Sequence, residues 1–542
     1  MRLGAACALV LWLAGPAWAQ NHYALEIVNV KPVGTAPTGM DGDSRLYRAY
    51  TGLTWTYRVG VIGGQYPYTF ALTNAPAGMS IRNASTGETC GIAETGRTHV
   101  DCGTITWTSP AASASNITVT VTDADGSTED ETWSITVGTS GYRFLDAVSG
   151  VDSGSGGIGA PWRTVAYAKA NSSANDIWYF RTGTYGGSDM GADNGVSNSR
   201  KAWEFSDTAG SAIWLEYPGD AAVLDLEAPD GATTGQYYAN LTIEGPVYMD
   251  GFEITNCQHF CLRFYASGSS AKGPDLHNLT IHHTAAGWTE GSGSNQAPIM
   301  WEQAYPNQDY GTVLQNLTIY DSPDNGLKFY SQNKMLLEDS YIHDVALAME
   351  LKSGITQFTV RANHMDDMTD AVNAACIAGN MNSSSSGNTF SGEVAWNLCT
   401  NVTSSGYGTP GGGAGYWGAI DANQDGGASA FYVYRNTLVG RVLIEQPGTG
   451  DGPFAFTQNV IVNEDNAQSP YSYIYLLSST DDSVVSDTNN LKAQAATGVI
   501  DSSGKLTGSY RTTYLGTRGY EQGGGGGGGS TGRVRIRLRG QQ

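Results

Sequence analysis

Asn316-Leu-Thr-Ile-Tyr-Asp321, Asn325-Gly-Leu-Lys-Phe329 and Lys334-Met-Leu-Leu-Glu-Asp339 follow one another closely and together make one unit of a repeat. The first piece reads as a short aliphatic strand ending in Asp. The second is entered through Asn-Gly, and the third is an aliphatic run that ends where the frame begins again. The frame recurs at Asp339-Ser-Tyr-Ile-His-Asp344, Asn363-His-Met-Asp-Asp367, Asn436-Thr-Leu-Val439 and Asn459-Val-Ile-Val462. Its spacing is 23 residues from 316 to 339, 24 from 339 to 363 and 23 from 436 to 459. A β-rich unit of that period, punctuated by turn residues, predicts a solenoid whose units bury their apolar faces by stacking on their neighbours. Stacking puts residues one period apart into columns, so the linear sequence predicts a surface.

Outward from the repeat, the 542-residue chain is long enough for two or more domains. Residues 1–19 read as a secretory leader: Met1-Arg2, an apolar run from Leu3 to Ala14, and Ala17-Trp18-Ala19 before Gln20. That run is too short to cross a bilayer, and no other apolar run is longer, so the expectation is an exported protein with no membrane span. Six cysteines follow the leader: Cys90, Cys102, Cys257, Cys261, Cys376 and Cys399. An even count in an exported chain suits disulfides, with Cys90–Cys102 and Cys257–Cys261 as the favoured local pairs. For Cys376 and Cys399, a disulfide and two buried thiols are both open. A formal charge of −22 argues against nucleic acid as a partner. The sequence sets no oligomeric state and carries no signature of an organic cofactor.

Residues 21–138 alternate in runs such as Thr54–Val61, Ile117–Thr122 and Thr132–Val137, the pattern of a β-sandwich. Tyr68-Thr-Phe-Ala-Leu, Gly103-Thr-Ile-Thr-Trp and Val119-Thr-Val-Thr-Asp-Ala-Asp-Gly126 resemble bacterial immunoglobulin-like (cadherin-like) modules, which implies a spacer or binding accessory. Phe144-Leu-Asp-Ala-Val-Ser-Gly-Val-Asp152, Ala160-Pro-Trp-Arg-Thr-Val-Ala-Tyr-Ala168 and Asp176-Ile-Trp-Tyr-Phe-Arg-Thr-Gly-Thr-Tyr185 resemble the entry segment of pectate-lyase-like right-handed parallel β-helix proteins. With the repeats, this resemblance covers residues 142–515 and implies an all-β chain, an immunoglobulin-like sandwich followed by a β-helix. It also implies a capping helix, for which Thr164–Ala170 is Ala-rich and helix-competent. Residues 516–542, with the glycine run 523–529 and the alternating Arg/aliphatic end, read as a disordered linker and basic tail.

The resemblance implies three strands per coil and an Asn ladder at the turn from the second strand to the third. Asn278, Asn316, Asp339, Asn363, Asn397, Asn436 and Asn459 fit that ladder. Counting roughly twelve residues on from each rung reaches the first strand of the next coil. Leu262, Met300, Leu327, Leu351, Ile377, Ile420 and Ile444 are then expected inside. Arg263, Trp301, Lys328, Lys352, Ala378, Asp421 and Glu445 are expected outside, with Glu350 on the face of Lys352 and the two lysines stacked one coil apart. In the resembled family this outer face lines a polysaccharide groove. Two insertions, Gly287–Pro298 and Ser404–Tyr416, leave the coils beside it, and Trp288, Tyr416 and Trp417 suit stacking on sugar rings.

A second column, Asn256, His283, Asp321, Asp344 and Asp367, falls where the third strand turns into the first. Stacked carboxylates make Asp321, Asp344 and Asp367 candidate Ca2+ ligands, although Asp also favours turns for local reasons. The leading expectation is a polysaccharide lyase acting on a uronate polymer. Lys352 would be the base, its pKa lowered by Lys328 and Arg263, and His343 and Arg361 would be reserves for the acid. The alternatives are a glycoside hydrolase using a carboxylate pair among Asp321, Asp324, Asp344, Glu350, Asp366 and Asp367, and a non-catalytic glycan-binding or structural protein. The Gly-His-Gly and Arg-Ile-Lys signatures of polygalacturonases are absent.

Overall fold

The computed structural model describes residues 23–493 except 32–44, 86–88, 91–98, 174, 187–201, 207–211, 227–239, 245–246, 258–259, 266–272, 283–296, 302–310, 323, 353, 371–373, 381–390, 405–416, 424–429, 441, 446–453, 463–473, 478–484 and 489. The leader, the basic tail, Trp288 and Tyr416 therefore lie outside the described residues. From Tyr142 onward the strands fall into three parallel sheets, and each coil contributes one strand to each. The coil around Glu350 shows the order: Met335–Glu338 in the second sheet, Tyr341–Val345 in the third, Leu347–Lys352 in the first. Among the described residues the first sheet has 10 strands and the second has 12, every neighbouring pair parallel. This is the right-handed parallel β-helix that the resemblance implied.

Its core is one continuous apolar column, from Leu145, Trp162 and Val165 at the start to Phe454, Phe456 and Ile461. The entry end is closed by the helix Val165–Asn171. Thr164 caps that helix by accepting the Tyr167 N–H, and Val165 and Ala168 turn into the core.

The ladder is real but is two columns, offset by one residue. Asn278, Asn316 and Asp339 hold left-handed backbone at φ 53°, 56° and 54°. In the following coils that conformation falls on Ala362, Trp396, Arg435 and Gln458 instead, and the asparagine comes one position later. The later asparagines form a chain of directly hydrogen-bonded amides. Asn363, Asn397, Asn436 and Asn459 are buried, and each Oδ1 accepts the backbone N–H of the rung before it at 2.9–3.0 Å. Each Nδ2 donates to a main-chain carbonyl, from Leu337, Val360, Val394 and Val433. Asn490 extends the run, its Oδ1 accepting from Asn459 at 2.8–2.9 Å.

The immunoglobulin-like module is a sandwich with a four-stranded sheet (Arg48–Tyr50, Thr128–Gly138, Ala114–Thr122, Thr69–Thr73) and a three-stranded sheet (Trp55–Arg58, Thr104–Trp107, Met79–Ile81). It is no detached spacer. It lies along the outer face of the second sheet and buries a polar network there. Arg58 pairs with Asp339. Arg361 donates to Glu338 Oε1 at 2.9 and 3.1 Å, to the Tyr68 hydroxyl at 2.6 Å and to the Val61 carbonyl at 2.9 Å. Val28 and Ile62 of the module pack with Val313 and Leu336 of the solenoid. Burial alone would push Glu338 up, but Arg361 and Arg58 outweigh it and hold the carboxyl below its usual range. Arg361 is thus a docking residue, remote from the first sheet where a reserve acid would be needed.

All three cysteine pairs are disulfides: Cys90–Cys102, Cys257–Cys261 and Cys376–Cys399. The last, 23 residues apart, ties the first-sheet strand Ala374–Asn380 to the third-sheet strand Leu398–Cys399 that follows it.

Glu393 sits where the N-terminal segment meets the second sheet, accepting the Tyr23 N–H at 2.8 Å and the Tyr434 hydroxyl at 3.3 Å. Burial raises its pKa to about 7, with Arg361 and these hydrogen bonds pulling the other way. The folded protein therefore holds a proton that the unfolded chain releases. Its contribution to stability is present at low pH and is lost as pH rises from the ordinary glutamate value to about 7. Glu393→Gln is expected to flatten this slope, stabilising the protein above neutrality by up to about 3 kcal/mol. Urea melts from pH 5 to 8 measure it, and an unchanged slope in the variant would refute the assignment.

Candidate active site on the first sheet

The outer face of the first sheet carries the candidate site, and its register differs from the expected one. Lys328 lies beside Glu350, and Lys352 lies beside Tyr330. The reason is a turn. Four positions separate Asp321 from Asn325, but three separate Asp344 from Leu347, so counting from the rungs slips in the next coil. For Lys352 the slip is two residues, one from the shorter turn and one because Lys352 lies 13 residues after Asp339 where Lys328 lies 12 after Asn316, and an even slip leaves the side chain on the predicted face. For Trp301 it is one residue. Trp301 pairs in register with Phe264 and Met300 with Arg263, one residue off the expected alignment of Trp301 with Arg263.

The result is a triad. Glu350 Oε2 is 2.7 Å from Lys328 Nζ, and Glu350 Oε1 is 2.9 Å from Lys352 Nζ. Asn325 Nδ2 also donates to Glu350 Oε2, at 2.7 Å. Both ammonium groups stand near the Tyr330 ring, at 6.0 and 5.8 Å from its centroid. Lys328 and Glu350 are 2 % and 3 % exposed, whereas the Lys352 side chain keeps 18 %. One carboxylate between two lysines relieves the like-charge contact that stacked lysines would suffer.

Position within the triad separates the lysines. Burial, helped by Lys352, lowers the Lys328 pKa, and Glu350 only partly restores it. For Lys352 burial also works downward, but the pull of Glu350 wins and the pKa is raised. Glu350 itself is held below the usual carboxylate range, because Lys328 and Lys352 outweigh its burial. The expected base and its helper thus exchange properties: Lys328, not Lys352, is the lysine biased toward the neutral amine.

The other predicted residues spread along the same groove or away from it. Arg263 shares the column of Lys328 two strands earlier, with Met300 between. Asp421 follows Glu350 in register by way of Ala378, and Glu445 follows Lys352 by way of Asn380 and Asn423. Trp417 opens the strand Trp417–Asn423, in register with Ala374. His343 belongs to the third sheet. Its ring stacks on Tyr320 at 5.0 Å and on Tyr341 at 4.2 Å, and Nδ1 meets Asp344 Oδ2 at 2.7 Å. His282 and His364 extend this stack at 4.8–4.9 Å.

Asp321, Asp344 and Asp367 do form the expected column, at φ 56°, 52° and 55°, with Asn256 and Asn401 in the same conformation at either end. Left-handed backbone favours Asp and Asn among side-chain-bearing residues, so turn geometry accounts for the column. Among the described residues no three His, Cys, Asp or Glu side chains converge as a metal site would require. Asp123, in the sandwich, spends its carboxylate on the backbone N–H groups of Gln65, Asp125 and Ser127. No helix among the described residues is long and apolar enough to cross a membrane.

Sequence reasoning missed Asn325 and Tyr330. The Asn-Gly at the strand entry and the aromatic two residues past Lys328 were the signals available.

Residues 33–138 match the family model described as a putative Ig domain. No curated protein matches the chain. Several solved structures are similar to it at low identity. Pectate lyase Pel9A is 13% identical over 73% of this chain and 90% of its own, with a TM-score of 0.41. A rhamnogalacturonan lyase is 12% identical over 70% of this chain and 99% of its own, with a TM-score of 0.32. The GH136 lacto-N-biosidase from Eubacterium ramulus is 9% identical over 65% of this chain and 68% of its own, with a TM-score of 0.34.

Proposed function

We propose that this is an exported polysaccharide lyase that cleaves a uronate-containing polymer by β-elimination at the Lys328–Glu350–Lys352 triad. The observation that carries the reading is the split between two lysines on one carboxylate. Titratable neighbours pushed apart by their surroundings are how acid and base roles are divided. Elimination needs a base for the proton on C5 and a cation for the uronate carboxylate on which charge builds. Lys328 as the amine takes the proton, and the released electron pair forms the C4=C5 double bond. The C4–O bond breaks, and the leaving oxygen is protonated by Lys352 or by water. Lys352, the more exposed and the more firmly protonated, meets the carboxylate. A hydrolase would need a carboxyl poised to give up a proton, and Glu350 is held ionised by three donors. Export is supported by the leader-like residues 1–19 and by three disulfides.

The test is incubation with polygalacturonate, alginate and glycosaminoglycans, with and without EDTA to examine Ca2+ at Asp321, Asp344 and Asp367. An ultraviolet-absorbing unsaturated product is expected. New reducing ends without that absorbance would replace the reading with hydrolysis, and retention on a polymer without cleavage would replace it with binding.

A further inference from the structure

Asn325 opens the strand Asn325–Tyr330, in register with Leu347 and, one coil on, Ala375. Leu347, Ala375 and Ala378 cluster apart from the solenoid core, while Ala348 and Cys376 belong to it. This position therefore faces outward, on the side of Lys328 and Glu350, although the next two residues both turn inward. The Ser322 hydroxyl donates to the Asn325 carbonyl at 3.1 Å and holds the turn that presents it.

The amide has only one sensible orientation. Nδ2 donates to Glu350 Oε2 at 2.7 Å, and turning the amide over would press two acceptor oxygens together. Oδ1 is therefore fixed as an acceptor. It is buried, on a residue 2 % exposed, and no donor among the described residues reaches it. Buried polar atoms are nearly always paired, and one left unpaired typically costs about 1–3 kcal/mol. Among the described residues every charged member of the triad already has its counterpart, which leaves this acceptor open to a donor on a molecule in the groove.

We propose that Asn325 is a specificity-determining residue whose Oδ1 accepts a hydrogen bond from a hydroxyl of the sugar ring bound at the triad. This rests on the lyase reading. It narrows the ligand to a uronate unit that presents an unsubstituted ring hydroxyl near the carboxylate bound by Lys352. Because Nδ2 holds the carboxylate that binds both lysines, the same side chain couples recognition of the hydroxyl to placement of the charged groups.

The test compares short oligouronides of whichever polymer the full-length protein cleaves with their 2-deoxy and 3-deoxy analogues. Wild type should lose roughly tenfold to a hundredfold in kcat/KM for one of the two analogues. Asn325→Leu, which cannot accept, should be slower overall but should discriminate less than about twofold. Asn325→Asp keeps an acceptor at the Oδ1 position but sets its other oxygen against Glu350 Oε2, so it should be slower than wild type while retaining the discrimination. A residue that merely holds Glu350 would change the rate and leave the discrimination intact, so equal discrimination in wild type and Asn325→Leu would overturn the proposal. If wild type cleaves the polymer but treats both deoxy analogues like the parent, the hydroxyl contact is refuted while the lyase reading survives. No unsaturated product from any uronate polymer removes both.

Discussion

Lys328→Ala is expected to lower kcat on the cleaved polymer by roughly 10²–10⁴-fold, the range for losing a positioned base, with KM changed far less. Lys328→Arg should not restore activity, because a guanidinium does not deprotonate in proteins. Lys352 should respond differently. Lys352→Ala removes the partner of the substrate carboxylate and should raise KM as well as lower kcat, while Lys352→Arg should keep much of the binding. The pH profile follows from the two directions of shift. Activity rises as Lys328 loses its proton, which burial moves below the ordinary lysine value. It falls when Lys352 loses its own, which Glu350 moves above that value. The bell should therefore lie on the alkaline side, and Lys352→Arg should remove its descending limb. A profile that falls through neutral pH, or full activity in Lys328→Ala, would refute the assignment.

The second large effect concerns stability. Arg361→Ala is expected to destabilise the protein by about 3–5 kcal/mol, the usual result of removing one partner from a buried pair. Glu338 would be left charged under the module beside Arg58 alone. The paired change Arg361→Met with Glu338→Met should cost much less than either single change, because it leaves no stranded charge. Guanidinium melts of the three variants decide this. If Arg361→Ala melts within about 0.5 kcal/mol of wild type, the range of an ordinary surface change, the docked network is not holding the module.

The fold was legible because it is written in a period. Aliphatic pairs such as Leu317/Ile319 and Ile342/Val345 recur with turn residues between them, and the helix at Thr164 announces itself by its cap and its alanines. Columns were legible to within one or two residues. The rung motif does not occupy one structural position: in some coils the asparagine takes the left-handed turn, and in others it comes just after. Around the groove the rungs Asn316 and Asp339 share one position, and there the shorter turn before Leu347 helped to put Lys352 on the right face but two residues too far along, while Trp301 stands one residue out of the expected register. The pKa of Lys352 was misjudged because its nearest charge is Glu350, and contact distances across coils are not sequence quantities. Arg361 looked like a groove residue because nothing in a repeat says which of its three faces another domain will cover. The acidic column was read correctly as a column, and the left-handed turns explain why Asp stands there.

The docked module also bears on how the chain folds. An unsupported solenoid is close to one-dimensional, able to gain or lose coils at its ends one at a time. Here Tyr23, Arg58 and Tyr68 hold partners 370, 281 and 293 residues downstream. Such contacts close very long loops, so they form late and slow the search. Synthesis runs from the N-terminus, so the sandwich emerges well before the strands that Arg58 and Tyr23 will grip. Arg58 finds Asp339 first, and only when the strand Phe358–Arg361 follows do Tyr66 and Tyr68 gain the Arg361 guanidinium. The coils that the module grips are therefore expected to unravel together, where coils of a bare solenoid would come away one at a time.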